Sequence, residues 1–262
     1  MAWPNAGNLL LSFSRLEAGV FDERAPCVVL PNREAHVWAF SLDADFEVQR
    51  QCGRWLSPSE RERANRFRFE QDRNHFVVAH GCLRQILSRY CDSTPDALVI
   101  TQSVGEKPKL RVRGMPRSPL MFNLTHSHGR GLVAVANGFE IGVDLERVRE
   151  DVEHLKLAER FFSHPEVDVI RMEEGESQRV LFFRHWVGKE AMLKAKGTGL
   201  QFPLDRCALI MADTLNEAVV HWHADTDQEW FIHFLPLESG WVGAVAAEGT
   251  NWTVTYRGLT GY

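Results

Sequence analysis

Cysteine is scarce and unpaired in this chain of 262 residues. The five cysteines are scattered, odd in number, and form no Cys-x-x-Cys pair. This argues against a disulfide framework or a zinc finger and is typical of the reducing cytosol. Long apolar runs are also lacking, because Leu9-Leu10-Leu11 is too short for a membrane span and no Lys or Arg precedes it. We therefore expect a cytoplasmic protein without a membrane partner.

An excess of basic residues is missing as well. The formal net charge is −5, which does not favour nucleic acid as a partner. Hydrophobic residues make up 44% of the chain and charged residues 25%, as in a soluble globular protein. The length fits one large domain or two ordinary ones.

One segment brings two carboxylates together. Ile141 to Glu146 is predicted to be a strand, in which Val143 and Leu145 face a core while Asp144 and Glu146 share the other face. Two carboxylates this close repel, and a hard cation such as Mg²⁺ would remove the conflict. The alternative is an ordinary solvated strand face.

A helix predicted at Glu176–Lys196 adds a third carboxylate. Trp186, Glu190 and Lys194 are spaced four residues apart and therefore share one helix face. A surface Glu–Lys pair is the alternative, but a solvated face seldom carries tryptophan. Together with the strand, this face favours a metal site with a lysine for phosphate.

Residues 122–129 are predicted to be a strand that leads into a polar turn with two histidines. His126 is suited to donate to a phosphate oxygen or to take a proton near neutral pH. Alternatively, the polar side chains of this turn bond the local backbone. Zinc is disfavoured, because no further histidine or cysteine lies near His126 and His128 in the sequence.

The N-terminal half is predicted to contain basic helices. Ser57, Pro58 and Glu60 form a capping box, and the helix that follows carries four arginines. A second helix is predicted to run to about Tyr90.

The remaining segments are predicted to be mostly strands, with a boundary between two halves near residues 117–119. Asn137-Gly138 favours a hairpin, which would pair the strand at 132–136 with the strand at 139–146. A helix near 155–162 is predicted to end at His164-Pro165, and the tail reads as a meander of short strands.

These motifs, in this order, resemble those of the phosphopantetheinyl transferase superfamily. The family pattern Gly-(Val/Ile)-Asp-x-Glu, followed by Trp-x-x-Lys-Glu-Ala-x-x-Lys, stands here at 142–146 and 186–194. Phe122-Asn123-Leu124-Thr125-His126-Ser127 and Gly105-Glu106-Lys107-Pro108 are similar to two family turns. Ser57 through Arg84 resembles the basic helices of the longer, surfactin-type members.

The resemblance implies an α+β fold: a pseudo-twofold monomer of two similar halves, each with a mainly antiparallel sheet packed on helices. Residues 1–118 would form the coenzyme A side, and residues 119–262 the metal and carrier-protein side. The implied reaction is the Mg²⁺-dependent transfer of 4'-phosphopantetheine from coenzyme A to a serine of an acyl or peptidyl carrier protein, with release of 3',5'-ADP.

Site residues also follow from the resemblance. The implied Mg²⁺ ligands are Asp144, Glu146 and Glu190, and the implied catalytic residues are Glu190, Lys194 and His126. Coenzyme A would be held by Arg63, His75, Lys107, Pro108, Thr125, His126 and Lys194. In many members arginine would be expected at His75 and His80, and a lysine can occur at Glu60. Arg63 would reach the 3'-phosphate from the first basic helix, and these departures bear on that contact.

The chemistry of these residues agrees with phosphoryl transfer, which depends mostly on positioning and charge neutralisation. Glu190 is the candidate general base toward the serine, directly or through a metal-bound water. The alternatives are a metal-dependent phosphohydrolase or nuclease and a non-catalytic carrier-binding protein. A non-catalytic protein would have no need for Asp144, Glu146, Glu190 and Lys194 together.

The segment Val152–Phe162 is the candidate carrier surface. At helical spacing Leu157 and Phe161 lie beside the core stripe, partly exposed, and would offer an apolar groove to a carrier helix. Nearby basic residues, including Arg147 and Arg149, would attract an acidic carrier. The alternative is that both apolar stripes are buried.

Overall fold

The structure is a computed structural model. It describes residues 27–102, 105–112, 119–198, 202–212, 217–222 and 229–259, together with Leu11, Phe13 and Leu16. Within these ranges, no helix has both the length and the apolar character that crossing a membrane requires. All five cysteines are free thiols.

The described part of the chain runs twice through one order of elements: a strand, three helices and further strands. The first series is β1 (Glu34–Ser41), α1 (Phe46–Trp55), α2 (Pro58–Ala64), α3 (Glu70–Ser88), β2 (Leu98–Thr101), β3 (Lys109–Val112), β4 (Leu120–Ser127) and β5 (Arg130–Asn137). The second is β6 (Ile141–Arg147), α4 (His154–Phe161), α5 (His164–Arg171), α6 (Gly175–Lys196), β7 (Cys207–Met211), β8 (Glu217–Trp222), β9 (Trp230–Phe234) and β10 (Trp241–Glu248). Strand β11 (Thr253–Gly258) follows.

The strands form a four-stranded sheet in the order β11-β1-β5-β4, a five-stranded sheet in the order β6-β10-β9-β8-β7, and the small sheet β2-β3. All pairs are antiparallel except β1 with β11, which run parallel. Each large sheet thus packs on helices in its own half. The predicted α+β fold with two similar halves is confirmed.

The two halves meet through the inner faces of their sheets. Alternate small and branched residues of β1 and β5 pack on those of β6 and β10 in one buried cluster. Val143 and Leu145 belong to this cluster, as their alternation in the strand predicted. Asp144 and Glu146 therefore point to the other face of β6, toward α6.

The predicted hairpin at Asn137-Gly138 is wrong. Strand β6 pairs with β10 instead of β5, and the chain passes between the sheets at Gly138, whose N–H donates to the carbonyl of Pro119 at 3.1 Å. The tight hairpin lies between β4 and β5, at His128 and Gly129, with φ of 44° and 79°. A type I′ turn needs positive φ at both central residues, and here histidine adopts it.

Both halves begin their second helix with a capping box. Ser57 and Glu60 begin α2, as predicted, and Ser163 and Glu166 begin α5 in the same way. The helix predicted near 155–162 is confirmed as α4, which ends at Phe161, but Pro165 lies in the first turn of a further helix, α5. A proline in the first turn lacks only an N–H that the helix does not use, so it starts the helix.

In the first half, the capping-box glutamate also binds a buried cation of α3. The guanidinium of Arg84 contacts Glu60 through Nε at 2.9 Å and Nη2 at 2.7 Å. Its Nη1 donates to the carbonyls of Pro95 and Leu98, at the start of β2. One side chain thus holds α2, α3 and β2 together.

The second half repeats this arrangement with lysine. Lys189 of α6 is fully buried and donates to Glu166 Oε2 at 2.6 Å and to the carbonyls of Leu204 and Cys207, each at 2.9 Å. Leu209 donates its N–H to the other oxygen of Glu166 at 3.0 Å. The pair therefore also covers the edge strand β7, whose free backbone groups would otherwise be unpaired.

The division at residues 118/119 stays a prediction, and residues 117 and 118 lie outside the described ranges. Strand pairing crosses this division, because β4 and β5 join β1 in one sheet. Strand β11, from the end of the chain, also joins that sheet.

Candidate active site

The predicted site residues gather where the edge strand β4 of one sheet meets the edge strand β6 of the other. Alternate side chains of β4 reach across the gap. Asn123 Oδ1 accepts the N–H of Val143 at 2.9 Å, and Ser127 Oγ donates to Glu146 Oε2 at 3.0 Å. Polar side chains thus take the place of a backbone ladder between the two sheets.

Helix α6 lies directly on β6 because Gly142 has no side chain. A Cβ at Gly142 would lie 2.0 Å from the carbonyl oxygen of Ala191 and 2.3 Å from the nitrogen of Ala195. This close packing brings Glu190 and Lys194 of the helix to the carboxylates of the strand.

Lys194, Asp144 and Thr125 form a closed triangle. Lys194 Nζ donates to Asp144 Oδ1 at 2.6 Å and to Thr125 Oγ1 at 3.0 Å, and Thr125 Oγ1 donates to Asp144 Oδ1 at 3.1 Å. Asp144 is buried, with 5% of its surface exposed. Lys194 bonds only these two groups within the described ranges, which leaves an ammonium hydrogen for a phosphate oxygen.

Burial and neighbouring negative charges shift the pKa values of Glu190 and Glu146. Burial, followed by the charges of Asp144 and Glu146, raises the pKa of Glu190 to about 7, although Lys194 acts against the rise. Burial and the charge of Asp144 also raise the pKa of Glu146, against a hydrogen bond from Ser127. A second cation would remove this conflict.

Two buried oxygens point to where such a cation fits. Asp144 Oδ2 and Glu190 Oε1 are buried and have no hydrogen-bond partner in the described structure. Buried carboxylate oxygens without donors are costly and are suitable ligands for Mg²⁺. Among the described side chains, no group of three or more His, Cys, Asp or Glu residues stands close enough to hold a metal as placed. Lys194 occupies the other oxygen of Asp144.

Basic side chains lie beside this triangle. Partial burial lowers the pKa of His126, and the positive charges of His80, His75, Lys194 and Arg63 lower it further. These five side chains, which form the basic group of the site, come from α2, α3, β4 and α6. The tertiary structure therefore brings them within electrostatic reach of one another. The predicted residues Arg63, His75, His126 and Lys194 are all among them.

Aromatic contacts and ion pairs hold this basic group. The guanidinium carbon of Arg63 lies 5.1 Å from the ring centroid of Phe76, and the ring of His80 lies 4.1 Å from it. Burial would raise the pKa of Glu60, but the hydrogen bond from His80 and the charge of Arg84 outweigh it and lower the pKa to about 2. Glu60 stands where a lysine can occur in the family, and here it holds α2 against α3 through His80 and Arg84.

Lys107 sits at the end of α6. Its Nζ donates to the carbonyls of Ile141 and Ala195 at 3.0 and 2.9 Å and pairs with Glu140. Burial lowers the pKa of Lys107, against the effect of Glu140. All three ammonium hydrogens are used, so only the stem of Lys107 and the half-buried Pro108 remain for a ligand.

Sequence reasoning missed three residues that build the site. Asn123 and Ser127 join β4 to β6, and Lys189 fixes α6 one residue before Glu190. The alternation of Asn123, Thr125 and Ser127 was a visible signal for a shared face. No local signal showed that Lys189 is buried.

Two family models and several known proteins match this chain. A family model described as the 4'-phosphopantetheinyl transferase superfamily matches residues 140–246, and one described as the N-terminal part of 4'-phosphopantetheinyl transferases matches residues 43–139. The 4'-phosphopantetheinyl transferase HetI of Nostoc sp. is 33% identical over 229 residues, covering 87% of this chain and 94% of its own length.

Two further relatives are more distant. The 4'-phosphopantetheinyl transferase Sfp of Bacillus subtilis is 30% identical over 152 residues, which are 58% of this chain and 64% of Sfp. A solved holo-(acyl-carrier-protein) synthase from Bacillus anthracis, in complex with CoA (3',5'-ADP), covers 43% of this chain and 97% of its own. It is 20% identical, with a TM-score of 0.37.

The chain belongs to the 4'-phosphopantetheinyl transferase superfamily. It is a transferase of this type, which confirms the class expected from the motifs. The alternatives of a phosphohydrolase and a non-catalytic carrier-binding protein have no support from these relatives.

Proposed function

We propose that the protein transfers the 4'-phosphopantetheine arm of coenzyme A to a serine of an acyl or peptidyl carrier protein and releases 3',5'-ADP. The observation that carries this proposal is the meeting of Asp144, Glu146 and Glu190 with Lys194 beside a basic group. Carboxylates suit a metal, and the basic group suits the phosphates of coenzyme A.

Asp144, Glu146 and Glu190 would hold Mg²⁺, since two of their oxygens are buried without donors. When bound, the ion would supply charge neutralisation for the pyrophosphate. Lys194 would donate its remaining hydrogen to a phosphate oxygen, while Thr125 and Asp144 fix its position. His126 would donate a hydrogen bond to a second phosphate oxygen.

Glu190 is the proposed general base. In the metal-free site, burial and the neighbouring carboxylates raise the pKa of Glu190 to about 7. With Mg²⁺ held beside it the carboxylate would be ionised, which is the form that accepts a proton. It would take the proton of the serine hydroxyl as the serine oxygen bonds to the phosphorus that carries the pantetheine arm, and the P–O bond to the leaving 3',5'-ADP breaks.

The proposed division of roles gives coenzyme A to the basic helices of the first half and the carrier to α4. Leu157 and Phe161 are half-buried, so part of each side chain remains exposed, as the helical spacing predicted. Phe161 packs on Trp186 at 6.1 Å between centroids, one helical turn before Glu190. An apolar patch therefore lies close to the carboxylates, and Arg149 near Glu146 adds positive charge.

We further propose a cytoplasmic, monomeric enzyme. The five free thiols fit a reducing compartment. Nucleic acid is not expected as a partner, given the net charge of −5.

Mass spectrometry of candidate carriers tests the function. We expect each accepted carrier to gain the phosphopantetheine mass after incubation with coenzyme A, Mg²⁺ and the protein. Serine-to-alanine carriers and chelator-treated reactions are the controls. Hydrolysis of coenzyme A without any carrier modification would favour the phosphohydrolase, and no reaction with any carrier would contradict the proposal.

A further inference from the structure

Two arginines flank a buried tryptophan at the far end of α3, away from the basic group at its start. The guanidinium carbons of Arg89 and Arg257 lie 5.4 and 5.6 Å from the ring of Trp38. Trp38 and Arg89 are 2% and 6% exposed. Arg257 is partly exposed, so Trp38 and Arg89 are shielded from water while Arg257 borders the solvent.

Neither guanidinium has an anionic partner among the described residues. The Nε atoms of Arg89 and Arg257 are buried without a hydrogen bond. Glu34 is the carboxylate of this cluster, and it accepts hydrogen bonds from His36 and Thr255. Positive charge therefore exceeds negative charge here.

This cluster stands where the internal repeat places the counterpart of the active site. Arg89 follows the buried Arg84 by five residues, as Lys194 follows the buried Lys189. Each of these later cations contacts the first strand of its own half. Arg89 lies on Trp38 of β1, and Lys194 binds Asp144 of β6.

Strand registers give the same correspondence. Trp38 pairs with Val133, the fourth residue of β5, and Asp144 pairs with Ala244, the fourth residue of β10. One residue after the buried cation stands Gln85 in α3 and Glu190 in α6. The first half therefore has Trp38 and Gln85 where the second has Asp144 and Glu190, and it has a cation, Arg89, at the place of Lys194. Arg257 of β11 adds a second cation.

Removing the carboxylates leaves a site for an anion without a metal. The buried charge of Arg89 is costly without an anionic partner, and a tryptophan face offsets only part of that cost because it accepts no in-plane hydrogen bond. Guanidinium groups present forked donors that match oxyanions. We propose that Arg89 and Arg257 bind a small oxyanion of the phosphate type beside Trp38.

Inorganic phosphate is the probe, titrated into the full chain at constant ionic strength. Binding is followed by phosphorus NMR line width and by the melting temperature. Phosphate that binds to the cations of the candidate active site does so independently of Arg257. The quantity compared is therefore the part of the phosphate response that the Arg257 variant loses. We expect Arg257→Gln to weaken this part about tenfold or more, since hydrogen bonds to charged groups are lost.

The control is Arg66→Gln, an exposed arginine already paired with Glu62, which should bind phosphate like the wild type. Without phosphate at low salt, Arg257→Gln should melt no lower than the wild type, because one of two repelling charges is gone. With phosphate it should melt lower.

A folded Arg89→Gln variant should lose phosphate binding in the same way. If Arg89→Gln does not fold, the result for Arg257→Gln alone tests the proposal. Equal phosphate response of Arg257→Gln and wild type would overturn the proposal, as would the same loss in Arg66→Gln. Acetate in place of phosphate separates the sources: a matching response would mark a carboxylate site and contradict a phosphate site.

Discussion

Helices α3 and α6 each carry one buried cation that binds a capping-box glutamate and two backbone carbonyls. These cations are Arg84, which pairs with Glu60, and Lys189, which pairs with Glu166. The two ion pairs are the braces of the two halves. The faces beside these buried cations differ, because α6 presents Glu190 and Lys194 to carboxylates, while Arg89 at the end of α3 lies on a tryptophan. The repeat thus preserves the packing and leaves the chemistry free to differ between the halves.

The environments of the two glutamates differ as well. Glu166 is almost fully buried and receives four hydrogen bonds, one of them from Lys189. Glu60 is partly exposed and has His80 as a second basic partner. The second half therefore depends more strongly on its single cation than the first half does.

The carboxylates of the second half give the largest expected effect. Asp144→Ala should reduce transfer roughly 100-fold or more, since the metal and Lys194 lose a common ligand while the phosphate charge must still be stabilised. The carrier mass assay measures the rate, and circular dichroism checks the fold. Glu248→Ala, an exposed carboxylate on the same sheet, should keep its activity. Full activity of Asp144→Ala in chelator-treated buffer would exclude the proposed metal role.

The two braces allow a direct comparison of stability. Lys189→Met should lower the free energy of unfolding by about 3–5 kcal/mol, because Glu166 keeps a buried charge without its partner. Arg84→Met should cost less, since His80 still serves Glu60. Urea unfolding measures both.

Adding Glu166→Leu to Lys189→Met should recover part of the loss, as no charge is then left unpaired. If Arg84→Met proves the more damaging variant, the two braces differ in a way that burial and partner number do not explain.

Variants of the basic residues in α2 should change the affinity for coenzyme A more than the turnover rate. Arg63→Ala should raise KM for coenzyme A about tenfold and KM for dephospho-coenzyme A much less, because a charged hydrogen bond to the 3'-phosphate is lost. Steady-state kinetics with both substrates measure this. Arg66→Ala, exposed and paired with Glu62, is the matched control. Equal effects of Arg63→Ala on both substrates would contradict contact with the 3'-phosphate.

The first helices of the two halves, α1 and α4, should differ in carrier binding. Leu157→Ala and Arg149→Glu should raise KM for the carrier several-fold, since apolar contact and attraction are lost. Phe46→Ala, on the exposed face of α1, should leave it unchanged. Calorimetry with coenzyme A should show unaltered affinity in all three. A matching loss of coenzyme A affinity would remove α4 from the carrier surface.

The smallest effects are opposite pH dependences of two glutamates, both measured as melting temperatures in metal-free buffer. The pKa of Glu60 is lowered to about 2, so its stabilisation is present above the ordinary value of 4.5 and is lost as pH falls toward 2. Glu60→Gln should therefore melt lower than the wild type at pH 7, and the difference should shrink with acid.

For Glu190 the sign is reversed. Its pKa is raised to about 7, so the folded state loses stability as pH rises from 4.5 through 7. Glu190→Gln should melt higher than the wild type at pH 8 and equally at pH 4. The reverse order at pH 8 would show that burial and the neighbouring carboxylates do not destabilise the charged form.

Local sequence determined the parts of the site that depend on a single element. Strand alternation placed Asp144 and Glu146 on one face, and helical spacing aligned Glu190 with Lys194, because these periods follow from backbone geometry alone. The capping box at Ser57 and Glu60 is equally local. These motifs also carried the family resemblance.

Tertiary structure alone decided which elements meet. Asn137-Gly138 favours a hairpin, yet β6 pairs with β10, because burying the faces shared by both sheets outweighs one turn preference. The burial of Lys189 depends on partners about twenty residues away on either side, and no local pattern encodes such contacts. The sequence thus supplied the chemical groups, while packing between distant segments set their surroundings and therefore their charge states.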